Sequence, residues 1–175
     1  VNNNIENNAR VHGPITGSAN GGGIAVLADC VAVIQSNRLN FNKGADHGGG
    51  IYFENSSSSV VGGALATDGN IFETNDALDG DGGGLMIEQG SAPIYNNTFR
   101  ANSADSVQVS RGFGGAIAVF SRYGGMILAN TIDGNVAKTG GGIFAKDSQP
   151  TIGDGTRANE NVLRFNVATE QLLVG

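Results

Sequence analysis

The sequence predicts an all-β fold, a right-handed parallel β-helix of five to six coils with three sides. Three observations predict it. First, Gly-Gly-Gly or Gly-Gly-Ala followed by a large aliphatic residue recurs, ending at Ile24, Ile51, Leu85, Ile117 and Ile143. Second, the pattern Asn, any residue, apolar, two residues, Asn recurs with its first asparagine at Asn3, Asn37, Asn70, Asn97, Asn130 and Asn161. Third, the two patterns alternate strictly at intervals of about 30 residues, which is the mark of a solenoid.

Each element of the coil follows from local patterning. After the glycines, Ile24/Val26, Ile51/Phe53, Leu85/Ile87, Ile117/Val119 and Ile143/Ala145 alternate with period two, as strand residues facing one side do. The Asn motif carries a second short strand, with Leu39/Phe41, Phe72/Thr74, Phe99/Ala101 and Leu163/Phe165 expected to face inward. A third inward position precedes it at Ile34, Ile94 and Ile127. Three strands per coil without a 3.6-residue period exclude helical repeats, and the missing leucine ladder excludes leucine-rich ones. Extra residues fall at two places only, between the third strand and the first Asn (Val61 to Asn70, Ile152 to Asn161) and after Asn8 and Asn102. Those are loops projecting from fixed corners.

Composition agrees with a repeat. Glycine is 29 of 175 residues and asparagine 20, yet 39% of the chain is hydrophobic and 15% charged, which is not the balance of a disordered chain. A net charge of −6 argues against nucleic acid or an anionic membrane surface as partner. No run of apolar residues is long enough for a membrane span. Cys30 is the single cysteine, so no internal disulfide is possible and a disulfide-stapled secreted domain is not implied. The chain is read as one domain, residues 1–175, either a segment of a longer polypeptide or a unit that stacks end to end, with Leu172, Leu173 and Val174 partly closing the core.

The motif residues have structural roles. Stacked coils leave little room for a Cβ at the glycine corners, and glycine accepts positive φ at little cost. The asparagines are expected to stack into two ladders, Asn37-Asn70-Asn97-Asn130-Asn161 and Asn42-Asn75-Asn102-Asn135-Asn166, each carboxamide bonding the next. A column Glu6, Asn40, Glu73, Arg100, Asp133, Arg164 alternates in sign from Glu73 onward and should fix register.

Candidate functional residues lie on the outer side of the strand after the glycines. One outward column reads Ala25, Tyr52, Met86, Ala118, Phe144, and the next reads Leu27, Glu54, Glu88, Phe120, Lys146. An apolar strip there implies cover by an inserted loop, a partner or a ligand, with Tyr52, Met86, Phe120 and Phe144 as contact residues. Glu54 and Glu88 would be neighbours on adjacent coils. Paired carboxylates repel, which raises one pKa and suits acid–base work on glycosides. Asp76, Asp79 and Asp81 form an acidic loop that could hold Ca²⁺, without the spacing of a known calcium loop. His12 and His47 read as solvated loop residues. A flat ice- or crystal-binding face ranks last, because the column Arg38, Ile71, Thr98, Thr131, Val162 is irregular.

The alternation of Gly114-Gly115-Ala116-Ile117 with Phe72-Glu73-Thr74-Asn75 and Phe99-Arg100-Ala101-Asn102 resembles the passenger repeats of chlamydial polymorphic membrane proteins, which are autotransporter adhesins. It is also similar to the bacterial right-handed β-helix class that includes pectate-lyase-like folds. The resemblance covers nearly the whole chain. It implies a bacterial extracellular or cell-surface location and a structural or adhesive role toward a glycan, a protein partner or another copy. Its alternative implication is a polysaccharide lyase or glycoside hydrolase. No catalytic residue carries over from the pectate-lyase-like enzymes, and fold likeness alone does not transfer activity.

Overall fold

The computed structural model describes residues 2–9, 20–28, 30–44, 46–55, 58–106 and 110–169. His12 and the Leu172–Val174 closure lie outside the described residues. The chain is a parallel β-helix: among the described residues the strands form four sheets, every pairing is parallel, and each inner strand pairs with its equivalents in the coils before and after.

Following one coil, the first sheet holds the Asn-motif strands Asn4–Glu6, Arg38–Asn40, Ile71–Glu73, Thr98–Arg100, Thr131–Asp133 and Val162–Arg164. The second holds Lys43–Gly44, Asp76–Ala77, Ser103–Ala104, Val136–Ala137 and Val167–Ala168. The third holds the strands after the glycines, Ile24–Val26, Ile51–Asn55, Leu85–Gln89, Ile117–Phe120 and Ile143–Lys146. The fourth holds Val33–Ile34, Val60–Gly62, Ile94–Tyr95, Met126–Leu128 and Thr151–Ile152. Six strands in one sheet and five in the others agree with the expected five to six coils. The four coils beginning at Arg38, Ile71, Thr98 and Thr131 each have four strand segments where three were expected. The additional one, in the second sheet, is only two residues long, too short to show a period in sequence.

The core is a set of aliphatic and aromatic columns. Leu39, Phe72, Phe99 and Ile132 stack along the first sheet, and Ile51, Leu85 and Ile117 along the third. Ile34, Val61, Ile94 and Ile127 close the fourth side. Phe72 and Phe99 lie face to face with centroids 4.4 Å apart. Like residues fall over like because the register is in phase, so each column fills itself.

Both asparagine ladders form. Asn42, Asn75, Asn102 and Asn135 each donate from Nδ2 to the Oδ1 of the next asparagine, at 2.9 Å in every rung. The same Nδ2 donates to a carbonyl of the preceding coil, as Asn102 does to Phe72. The other ladder runs Asn37 to Asn70, Asn97, Asn130 and Asn161 at 2.9–3.2 Å, and Asn3 and Asn8 add a rung to each at the leading end. Each Oδ1 also accepts the backbone N–H of the preceding asparagine, so these buried carboxamides are satisfied.

The expected inward position after the first-sheet strand is a correction. Phe41, Thr74, Ala101 and Phe165 point outward, with Phe41 50% and Phe165 80% exposed. The backbone there is left-handed, at φ between +52° and +57°, and Asn7 and Gly134 hold the same place in their coils. A left-handed residue turns the chain and ends the period-two alternation, which delivers the following asparagine to the interior in its stead.

The glycine corners behave as expected. Gly21, Gly48, Gly82, Gly114 and Gly140 have φ between +64° and +70°. At the middle glycine a Cβ would come 2.3–2.4 Å from a carbonyl oxygen of the next coil, which only glycine permits. The two insertions before the Asn motif fold into 3₁₀ turns at Ala66–Asp68 and Arg157–Asn159. The charged column is in register, but its first partner comes from outside it. Arg38 reaches across to Glu73, Arg100 approaches Glu73 at 3.9 Å, and Arg164 pairs with Asp133 at 3.0 Å.

Candidate functional site

The outer face of the third sheet carries the residues singled out for function. In-phase pairing brings Ala25, Tyr52, Met86, Ala118 and Phe144 into one column. The same register sets Glu54 beside Glu88, and Phe120 beside Lys146.

The apolar column is covered over half its length. Tyr52 and Met86 are each 4% exposed and Ala118 is fully buried, so Tyr52 and Met86 do not offer the open contact surface expected of them. The imidazole of His47 lies over Tyr52, with centroids 6.4 Å apart and planes 23° from parallel. Phe113, from the inserted segment before the fourth glycine corner, stacks on Phe144 at 4.4 Å and packs against Phe120 at 6.3 Å. Phe120 and Phe144 meet at 5.5 Å and remain half-buried. An aromatic trio with one partly open side results.

Polar contacts lock the covering segment in place. Asp81, 5% exposed, accepts the backbone N–H groups of Gly112 and Phe113, both at 2.9 Å. Arg111 pairs with Asp46 at 2.7 Å and donates to the Asp79 carbonyl at 3.2 Å. His47 is not a solvated loop residue: its Nδ1 accepts the Asp81 N–H at 3.2 Å and lies 3.3 Å from the Asp81 carboxylate. These contacts span 31 to 65 residues, so no local sequence signal could have revealed them.

The acidic loop is drawn apart by the same contacts. Asp81 faces the Phe113 segment. Asp76 faces Lys43, Ser103 and Asp105, and burial lifts its carboxyl above the ordinary range. Among the described residues no three His, Cys, Asp or Glu side chains gather as a metal-ligand set, so Asp76, Asp79 and Asp81 do not converge on a Ca²⁺ site.

Glu54 and Glu88 sit on adjacent coils with exposed carboxylates, as expected, and each has its own donor. Glu54 accepts the Ala28 N–H at 3.2 Å, and Glu88 accepts the Tyr52 hydroxyl at 2.5 Å. The acidity of Tyr52 is shifted. Burial pushes its phenol well above the usual value, and the negative charges of Glu88 and Glu54 push it further, against a hydrogen bond with Asn20. Tyr52 is therefore a fixed proton donor to Glu88 and not a base. Tyr123 is fully buried, donates to the Ala92 carbonyl at 2.8 Å, and serves the core.

No family model, no curated protein and no solved structure matches the chain. No helix among the described residues is long and apolar enough to cross a membrane. The site must be interpreted from its own geometry. That geometry contains a rigid, partly open aromatic trio bordered by carboxylates on one side and Lys146 on the other.

Proposed function

We propose that this chain is a structural and adhesive β-solenoid of a secreted or surface-displayed bacterial protein, which binds a glycan or a protein partner through the outer face of its third sheet. One observation supports this reading above the rest. Phe113, Phe120 and Phe144 form a half-open aromatic platform that is clamped in place by Asp81 and Arg111. Aromatic rings pack on the C–H faces of sugars and on apolar side chains, and a platform already held in place loses little entropy on binding. The neighbouring column places Glu88 on one side of Phe120 and Lys146 on the other, polar groups suited to fixing a ligand's orientation. The repeat resemblance to autotransporter adhesins supports the same role.

Glycan arrays and host-cell binding with the isolated chain address this directly. Wild type should bind, and Phe120→Ala with Phe144→Ala should lose at least tenfold in affinity with the fold retained. Equal binding by the double variant, or none by wild type, sinks the proposal.

A second reading, a polysaccharide lyase or glycoside hydrolase, rests on the stacked Glu54 and Glu88 beside Tyr52. Its weakness is chemical, since both carboxylates already accept hydrogen bonds and Tyr52 holds its proton. Turnover of an acidic polysaccharide that disappears in the Glu54→Gln, Glu88→Gln double variant would establish it. No turnover by wild type across a substrate panel would dismiss it.

A further inference from the structure

A second concave surface lies immediately beyond the aromatic platform, at the corner where the chain leaves the third sheet for the fourth. Phe120 and Lys146, register partners at the ends of their strands, lead directly into Ser121-Arg122-Tyr123-Gly124 and Asp147-Ser148-Gln149. Arg122, Asp147, Ser148 and Gln149, together with Tyr123 and Gly124, line a cleft of about 470 Å³, within the size range of small-molecule sites. The corner is rigid. The Arg122 N–H donates to the Asp147 carbonyl at 2.6 Å, that of Gln149 to Tyr123 at 2.8 Å and that of Gly124 to Gly90 at 3.1 Å, which ties three coils together.

Three features set this cleft apart from a solvated turn. Ser121 at φ +51° and Arg122 at φ +70° are consecutive left-handed residues where glycine would be free of strain. The Ser148 hydroxyl is closed to solvent and has no hydrogen-bond partner, a rarity in folded proteins. Among the described residues, the guanidinium of Arg122, the carboxylate of Asp147 and the carboxamide of Gln149 take part in no ion pair or side-chain hydrogen bond.

We infer that this cleft seats one neutral sugar ring of an oligosaccharide whose next ring lies on the aromatic platform. One cation and one anion line the cleft, so a charged ligand gains from one and is repelled by the other. What the lining offers is a mixed set of unpaired groups: donors on Arg122, acceptors on Asp147, and both on Gln149 and Ser148. The Ser148 hydroxyl swings between staggered rotamers to meet a ligand oxygen. Adjacent sugar hydroxyls each donate and accept, and so satisfy such a set together, whereas a sugar carboxylate would face Asp147. The phenylalanine rings alongside take the C–H face of the next ring. The inference rests on the glycan-binding form of the proposed function and gives its ligand class.

An array of neutral hexose oligomers and uronic-acid oligomers, probed with the whole chain, tests that class. Neutral oligomers should bind and uronic-acid oligomers should not. Calorimetry with the strongest neutral oligomer should show Arg122→Gly and Ser148→Ala each weakened about fivefold, the worth of one hydrogen bond. Urea melts separate this from lost structure. Arg122→Gly relieves a left-handed residue and Ser148→Ala removes an unpartnered hydroxyl, so neither midpoint should fall below wild type. A preference for uronic-acid oligomers overturns the inference. Neutral binding that is lost in Phe120→Ala with Phe144→Ala but kept in both cleft variants also overturns it, and leaves the platform reading standing. Host-cell binding that needs Phe120 and Phe144, with no glycan bound, does the same. A wild type that binds neither glycans nor cells removes both.

Discussion

Removing one carboxamide from the middle of a ladder should damage this fold more than removing one from its end. Asn102 is fully buried, and its Oδ1 accepts both the backbone N–H of Asn75 and the Asn75 Nδ2. Its own Nδ2 donates to Asn135 and to the Phe72 carbonyl. In Asn102→Ala the Asn75 N–H and one Asn75 amide proton lose their acceptor inside a site closed to water. Each unsatisfied buried group costs about 1–3 kcal/mol, so the two together cost about 2–6 kcal/mol. That is a large share of a typical domain stability of about 5–15 kcal/mol. Asn3, whose bond to Asn37 is exposed, should cost no more than about 1 kcal/mol when replaced by alanine. Urea titration followed by circular dichroism compares the two, provided the slope is checked for local unfolding of the terminal coils. If Asn102→Ala lowers the midpoint no more than Asn3→Ala does, the ladders are not what secures the interior.

Three further outcomes are expected. Gly83→Ala places a methyl 2.4 Å from the carbonyl oxygens of Gly115 and Ser103 and should prevent folding, whereas Gly142→Ala, whose nearest contact is 3.4 Å, should fold with a midpoint close to wild type; expression and urea melts of the pair decide it. Thr74, β-branched at φ +57°, should be improved by glycine, with Thr74→Gly gaining up to about 1 kcal/mol in the same melts. Asp76 has its carboxyl lifted chiefly by burial and also by Asp105, against Lys43 and Ser103. The folded chain thus holds this proton more tightly than the unfolded one. Its contribution is fully present below the unfolded pKa of about 4 and is lost as pH rises through the raised folded value. Asp76→Asn should therefore exceed wild type in stability at neutral pH, and the difference should vanish in acid.

Much of the coil was legible in the sequence because its constraints repeat. Asn37, Asn70, Asn97, Asn130 and Asn161 recur at the period that places them one above another, and the middle glycine of each corner recurs for a steric reason that allows no substitute. Phe41 and Phe165 depart from strand alternation because the alternation ends at a left-handed bend that nothing in a phenylalanine announces. The candidate site was legible only in its columns. Register correctly set Glu54 beside Glu88 and Tyr52 beside Met86. What covers them is held by Asp81, Arg111, His47 and Phe113, which meet through long-range contacts that follow no period.

Nuclear Overhauser contacts between asparagine side-chain amides test the stacked register most directly. Sequential cross-peaks are expected from Asn70 to Asn97 to Asn130, with the amide protons of Asn97 slow to exchange with solvent. Cross-peaks absent between these neighbours, or Asn97 amides that exchange as fast as those of exposed Asn3, would contradict it.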